Sequence, residues 1–192
     1  MTSTVSDSRA AIERLLQAHT PADAREAADV ERVRALLRRP APFWRGTFQP
    51  GHLTASAVVV DPARTQVLLV FHTKLERWLQ PGGHFEPGEE DPLVAARREV
   101  LEETHVEARP DPRGPLLLDV DVHLIPARKL EPAHEHFDLR LLLTAEPGPV
   151  TAGEGTRAAR WARREELSGL DLDPGLVRAL RKVGLIATSP GP

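Results

Sequence analysis

Cysteine and tyrosine are absent from the 192 residues, and aromatic residues make up only 4% of them. Without cysteine there is no disulfide, no thiolate zinc site and no cysteine nucleophile; the same absence fits a reducing compartment. The core must then come mainly from Leu, Val and Ala, and the hydrophobic fraction of 41% is enough to build one. No apolar run reaches membrane-spanning length. Met1 to Arg9 lacks the basic stretch and apolar segment of a signal peptide. A cytoplasmic protein without a membrane partner is expected. Charge of either sign is not in excess. The 25 basic and 28 acidic residues leave a formal net charge of -3, which gives no support for a nucleic-acid partner.

The length suits one domain with additions. The first forty residues read as helical, with Ile12, Leu15 and Leu16 followed by Val30, Val33, Leu36 and Leu37 at helical spacing. Thr20-Pro21 looks like the cap and first residue of the second helix, and Pro40 and Pro42 end it. After Gly51 the pattern changes to strands: Thr54–Val60, a turn at Asp61-Pro62-Ala63-Arg64, then Val67–Phe71, which together suggest a hairpin. Trp78-Leu79-Gln80 is a short extended piece. Asp91-Pro92 opens a helix over Pro92–Thr104. Further strands are expected at Leu116–Val122, Phe137–Leu143 and Arg157–Ala162, and a closing helix runs from Asp173-Pro174 to Gly184. The fold class is α/β in the broad sense (α+β), a mixed sheet between helices. The chain divides into an N-terminal helical extension (1–46), a main domain (47–188) and a disordered tail (189–192). The N-terminal helices offer a surface for a homodimer.

Glu99, Glu102 and Glu103 lie at i, i+3 and i+4 of the expected helix, so their carboxylates share one face. Like charges at these spacings destabilise a helix, and no Lys stands at i+4 of these residues to compensate. A hard divalent cation removes the repulsion, because Mg²⁺ takes carboxylate oxygens together with substrate phosphates. The group reads as a metal site for diphosphate chemistry.

The run from Gly82-Gly83 through Glu89 to Arg98-Glu99-Val100-Leu101-Glu102-Glu103 resembles the Nudix box of the Nudix hydrolases, written G, five residues, E, seven residues, R-E-U-x-E-E-x-G-U with U a bulky aliphatic residue. The resemblance extends over about Leu53 to Leu185. It implies a Nudix-type α/β/α sandwich and hydrolysis of a small-molecule diphosphate, a nucleoside diphosphate linked to another moiety, by water attack on phosphorus. It implies Mg²⁺ or Mn²⁺ as the cofactor, held by Glu99, Glu102, Glu103 and the main-chain carbonyl of Gly82. One carboxylate would act as general base, with Glu99, Glu102, Glu103 and the loop residue Glu154 as candidates. Arg98 would brace the loop through a carboxylate, a task suited to a guanidinium. Two positions depart from the pattern. Eight residues rather than seven separate Glu89 from Arg98, which leaves Glu89 or Glu90 as the partner of Arg98. His105 stands where the family has Gly, a position that serves a left-handed helix end.

His134, His136, Asp138 and Arg140 alternate on one strand face. A His-x-His pair hints at zinc, but no third His or Cys stands nearby in the sequence, so His136, Asp138 and Arg140 are read as a polar face lining the substrate pocket. Lys74 and Arg77 are candidates to reach substrate phosphates. Two other classes compete with the hydrolase. One is a non-catalytic ligand-binding module on the same fold. The other is the isomerase branch, whose chemistry relies on a cysteine that this chain lacks.

Overall fold

A computed structural model describes residues 3–128, 130–153 and 155–187. Glu154 and the tail 189–192 lie outside the described residues. Two helices come first, α1 (Ser3–Ala18) and α2 (Ala24–Leu37). The second starts later than Thr20-Pro21 suggests. Asp23 is its cap, because its Oδ1 accepts the Glu26 N–H at 2.8 Å, while the Glu26 carboxylate accepts the Ala22 N–H at 2.6 Å. This reciprocal pairing satisfies two otherwise orphaned donors. Pro21 stays outside.

The strands are β1 (Gly51–Val60), β2 (Gln66–His72), β3 (Arg77–Leu79), β4 (Gly82–His84), β5 (Arg109–Pro110), β6 (Leu117–Ile125), β7 (His134–Thr144) and β8 (Thr156–Arg163), with helices α3 (Pro92–Thr104) and α4 (Pro174–Lys182). All eight belong to one mixed sheet. β1 runs parallel to β7 from Gly51↔Glu135 to Val60↔Thr144, and β6 continues antiparallel on the far side of β7. β2 pairs antiparallel with β8 and β3 and joins β1 at Val60↔Val67. β4 lies against the start of β1, with Thr54↔His84 and Ser56↔Gly82 in register.

Alternation along β1 and β7 sends successive side chains to opposite faces of the sheet. On one face Leu53, Ala55, Ala57 and Val59 meet Phe137, Leu139, Leu141 and Leu143 under α1, α2 and α3. On the other, Val58, Val60 and Leu142 pack under Leu176, Ala179 and Leu180 of α4. Helices therefore cover both faces, the layered α+β arrangement expected from the order of elements. Ile12, Leu16, Val30 and Val33 are all buried in the first core, so the N-terminal helices share it. Among the described residues no helix is long and apolar enough to cross a membrane.

Beyond Val58 the second face turns polar. His52, Thr54 and Ser56 of β1, with His136, Asp138 and Arg140 of β7 beside them, are not covered by apolar side chains of α4. β6 adds Asp119, Asp121 and His123 to this strip. Arg140 is only 2% exposed and contacts Asp138 at 3.2 Å and Asp119 and Asp121 at 3.4 Å. Arg178 of α4 grips Asp119 through two hydrogen bonds of 2.8 Å, and Lys182 reaches both Asp119 and Glu26. A buried charge persists only when paired, and here the pairing ties α2, α4 and β6 into one network.

Candidate active site

Helix α3 is placed by its ends. Asp91 Oδ1 accepts the Leu93 N–H at 2.8 Å, and Pro92 occupies the first turn. At the other end His105 adopts φ 58°, ψ 22° and donates its N–H to Leu101 O, so the histidine performs the left-handed termination that the family assigns to Gly. Ala95, Ala96 and Val100 bury one face of the helix. The neighbouring face then carries Glu99 and Glu103 along β4.

Glu103 is 9% exposed. Its Oε2 accepts the Gly82 N–H at 3.0 Å, which fixes the Gly82 main chain beside the carboxylate. No basic side chain pairs with it among the described residues. Burial raises its pKa from 4.5 to about 8, and repulsion from Glu99 and Glu102 adds to the rise. Burial also raises the Glu99 pKa, against the opposing pull of Arg98. β4 passes close to Glu99 at Gly83, where a Cβ would lie 2.5 Å from Glu99 Oε1.

Arg98 settles which acid braces the loop. Its Nε and Nη2 contact the two carboxylate oxygens of Glu89 at 3.2 and 2.9 Å, its Nη2 also donates to His84 O at 2.8 Å, and its Nη1 reaches Glu99 and Glu102, each at 2.9 Å. Glu89 is thus the partner, and the additional residue is absorbed between it and Asp91. Burial works to raise the Glu89 pKa, but the hydrogen bonds from Arg98 and the Glu86 N–H outweigh it and the net shift is downward.

The loop before β8 leans on the end of α3. Thr151 N donates to Thr104 O, and Gly153 N donates to Glu103 O at 2.9 Å. Gly153 passes so close to Glu102 O that a Cβ would collide with it. Gly153 therefore belongs to a segment anchored at the end of α3.

A family model for the NUDIX domain matches residues 50–183. The chain belongs to the Nudix family. Among solved structures, a NUDIX-family hydrolase from Clostridium perfringens is 26% identical, with 70% of this chain and 97% of that one covered and a TM-score of 0.53. The MutT NUDIX hydrolase from Burkholderia pseudomallei (20% identity, 68% and 96% covered, TM-score 0.50) has the same fold. So does the E. coli dihydroneopterin triphosphate pyrophosphohydrolase (16%, 68% and 92%, 0.50). No curated protein matches the chain.

Within this Nudix domain, Glu103 meets Gly82 and Glu99 meets Gly83, while Arg98 joins Glu99 and Glu102 to Glu89. The remaining candidates are elsewhere. Asp138 is buried and accepts hydrogen bonds from Thr54 at 3.0 Å and Ser56 at 2.7 Å. Arg140 lines a cavity of about 540 Å³ together with Arg25, Arg77, Gln80 and His123. Lys74 lies on an exposed turn, its N–H donating to His72 Nδ1 at 3.2 Å. Arg77 pairs with Asp171 at 2.7 Å.

His136 lies among neighbours that the order of the chain does not reveal. No third histidine is near it along the chain, but β1 brings His52 to it in register and β4 supplies His84. His134 and His123 flank the group, with ring centroids 5.2 and 5.7 Å from that of His136. Burial and the neighbouring rings depress the pKa of His84 to about 4 and that of His136 to about 2. The available signal was the alternation His52, Thr54, Ser56, which continues the β1 pattern two residues ahead of the expected strand start.

Proposed function

We propose that this protein is a metal-dependent hydrolase of a phosphoric anhydride, with a nucleoside diphosphate linked to another moiety as its substrate class. Membership of the Nudix family supports pyrophosphohydrolase chemistry in general. The observation that carries the reading is Glu103, buried, hydrogen-bonded to the Gly82 N–H and without a basic partner among the described residues, on the same helix face as Glu99 and Glu102. Such a set suits a hard divalent cation and is costly without one. Held by Glu99, Glu102, Glu103 and the Gly82 carbonyl, Mg²⁺ or Mn²⁺ would supply charge neutralisation on the phosphate oxygens and orient the attacking water.

The chain's own residues do the rest. Arg98 is locked by Glu89 and His84 O, so it holds Glu99 and Glu102 in one orientation at the mouth of the site. A carboxylate takes the proton of the attacking water as its oxygen bonds to phosphorus and the bridging P–O bond breaks, the leaving phosphate carrying away the electron pair. We assign this base to Glu99, Glu102, Glu103 or Glu154; for Glu154 the support is the anchoring of Gly153 at Glu103.

The test is turnover of a panel of nucleoside-diphosphate compounds with Mg²⁺ or Mn²⁺, read as released phosphate products. Turnover is expected to need the metal and to fall at least about 100-fold in Glu103→Gln. Hydrolysis that persists in chelator, or that Glu103→Gln leaves unchanged, overturns the reading. A ligand bound but never cleaved would favour the binding module.

A further inference from the structure

We propose that His52, His84 and His136 form a second metal site, a three-imidazole site for a zinc-class divalent ion, on the opposite side of β4 from the carboxylates. Each side chain offers one ring nitrogen, and these three atoms lie within 4.8 Å of one another. The Nε2 atoms of His84 and His136 are 3.3 Å apart. Two imidazoles bound to a tetrahedral Zn²⁺ at about 2.0–2.1 Å place their nitrogens about 3.3 Å apart. That edge is already at ligand spacing, and closing the others takes roughly 1.5 Å or less, within reach of small side-chain rotations.

His52 is the second, independent observation. It is 1% exposed. Its Nδ1 lies 3.0 Å from Thr47 O, an arrangement that places the proton on Nδ1 and the lone pair on Nε2. Nε2 is buried and has no hydrogen-bond partner. Metal-binding histidines are oriented in the same way, one nitrogen donating to a carbonyl while the other faces the ion. His134 stacks on His52 at 5.1 Å between centroids, and its own Nδ1 is held 2.8 Å from Pro132 O, so it walls the cluster.

The site is distinct from the carboxylate centre. Gly83 faces Glu99, and His84, the next residue of β4, points to the other side. The donor chemistry also differs. Imidazole nitrogens suit Zn²⁺, Co²⁺, Ni²⁺ and Cu²⁺, whereas Mg²⁺ and Mn²⁺ prefer carboxylate and carbonyl oxygens. Three ligands leave one tetrahedral position open, and an ion there would clamp β4 to β1 and β7.

The full-length chain, with Mg²⁺ in excess to occupy the carboxylates, should take up about one Zn²⁺ by equilibrium dialysis, and Co²⁺ in its place should show the intense visible absorption of a tetrahedral nitrogen-ligated ion. His136→Asn and His84→Asn should each weaken Zn²⁺ binding at least about 10-fold and abolish that spectrum, while Glu103→Gln leaves both intact. Melting curves in chelator show which variants fold; if His136→Asn does not, the partly exposed His84 decides. No Zn²⁺ uptake by the wild type overturns the proposal, as does uptake that survives both histidine changes or is lost in Glu103→Gln.

Discussion

Replacing Glu103 by Gln should stabilise the metal-free protein even as it removes turnover, and the gain should depend on pH. The Glu103 pKa is raised from 4.5 to about 8 by burial, with Glu99 and Glu102 adding repulsion. Between those two values the folded protein holds a proton that the unfolded chain has released. A carboxyl raised on folding weakens the fold as pH climbs through this window, and the full cost is present above the folded value. The ceiling is about 3 kcal/mol near pH 7 and about 5 kcal/mol well above pH 8. Relaxation around the charge and residual hydration lower it, and about 1–2 kcal/mol near neutrality is a realistic expectation. Gln keeps the shape and the oxygen that accepts the Gly82 N–H at 3.0 Å, so nothing else need be lost. For a chain of this size the gain corresponds to a rise in Tm of roughly 2–8 °C. Thermal melts in chelator should show wild type and Glu103→Gln nearly coincident at about pH 5 and separated by that margin at about pH 8. Mg²⁺ or Mn²⁺ should close the gap by raising the wild type alone. A gap that is the same at both pH values, or a mutant less stable than wild type at the higher one, would refute the account of Glu103 as a strained acid waiting for a cation.

Three further outcomes are expected. Glu26, whose pKa is lowered to about 2 because hydrogen bonds from His19, Ala22 and Lys182 outweigh the opposing effect of burial, contributes stability that is complete above about pH 4.5 and lost as pH falls towards 2; Glu26→Gln should therefore show a shallower loss of Tm in acid. Arg98→Lys should lower kcat about 10-fold or more with smaller loss of stability, since Lys cannot bridge Glu89, Glu99 and His84 O together, and steady-state kinetics would show it. His105→Gly should raise stability by about 0.5–1 kcal/mol in chemical denaturation, because φ 58° costs glycine nothing; the loss of the His105 Nδ1 contact with Thr151 O sets the lower end.

The parts of the fold that could be read from the sequence are those fixed by neighbours in the chain. The cap at Asp91, the proline after it and the spacing of Ala95, Ala96 and Val100 define α3 locally, and Asp173-Pro174 does the same for α4. What could not be read depends on pairing across long stretches. β4 is Gly-Gly-His, a sequence with no strand propensity, and it exists because β1 offers it a partner at Thr54, Ala55 and Ser56. The Asp23 cap won over Thr20 because Glu26, three residues on, can return the bond to Ala22. The acid network of Asp119, Asp121 and Arg178 is likewise invisible along the chain, where its members are scattered among Leu and Val.

The two candidate metal centres differ in the same respect, and that difference explains why one was legible. Glu99, Glu102 and Glu103 share a helix face, so five consecutive residues place three ligands before any tertiary contact forms. The histidines stand on three strands, at positions 52, 84 and 136, and only the parallel pairing of β1 with β7 and the short pairing of β1 with β4 bring them together. A His-x-His pair on one strand is therefore an incomplete test for an imidazole site in a sheet. The informative question is which residues lie in register on the two neighbouring strands, and here the answer is His52 on one side and His123 on the other. The ligand geometry belongs to the β1 side, because His52 Nε2 is buried without a partner whereas His123 Nδ1 is already 3.0 Å from Asp121. A helix-borne site can survive local rearrangement of the sheet, but a strand-borne one requires its register. A one-residue slip of β1 against β7 would turn His52 to the apolar face and dismantle the cluster, while Glu99, Glu102 and Glu103 would keep their mutual spacing on α3.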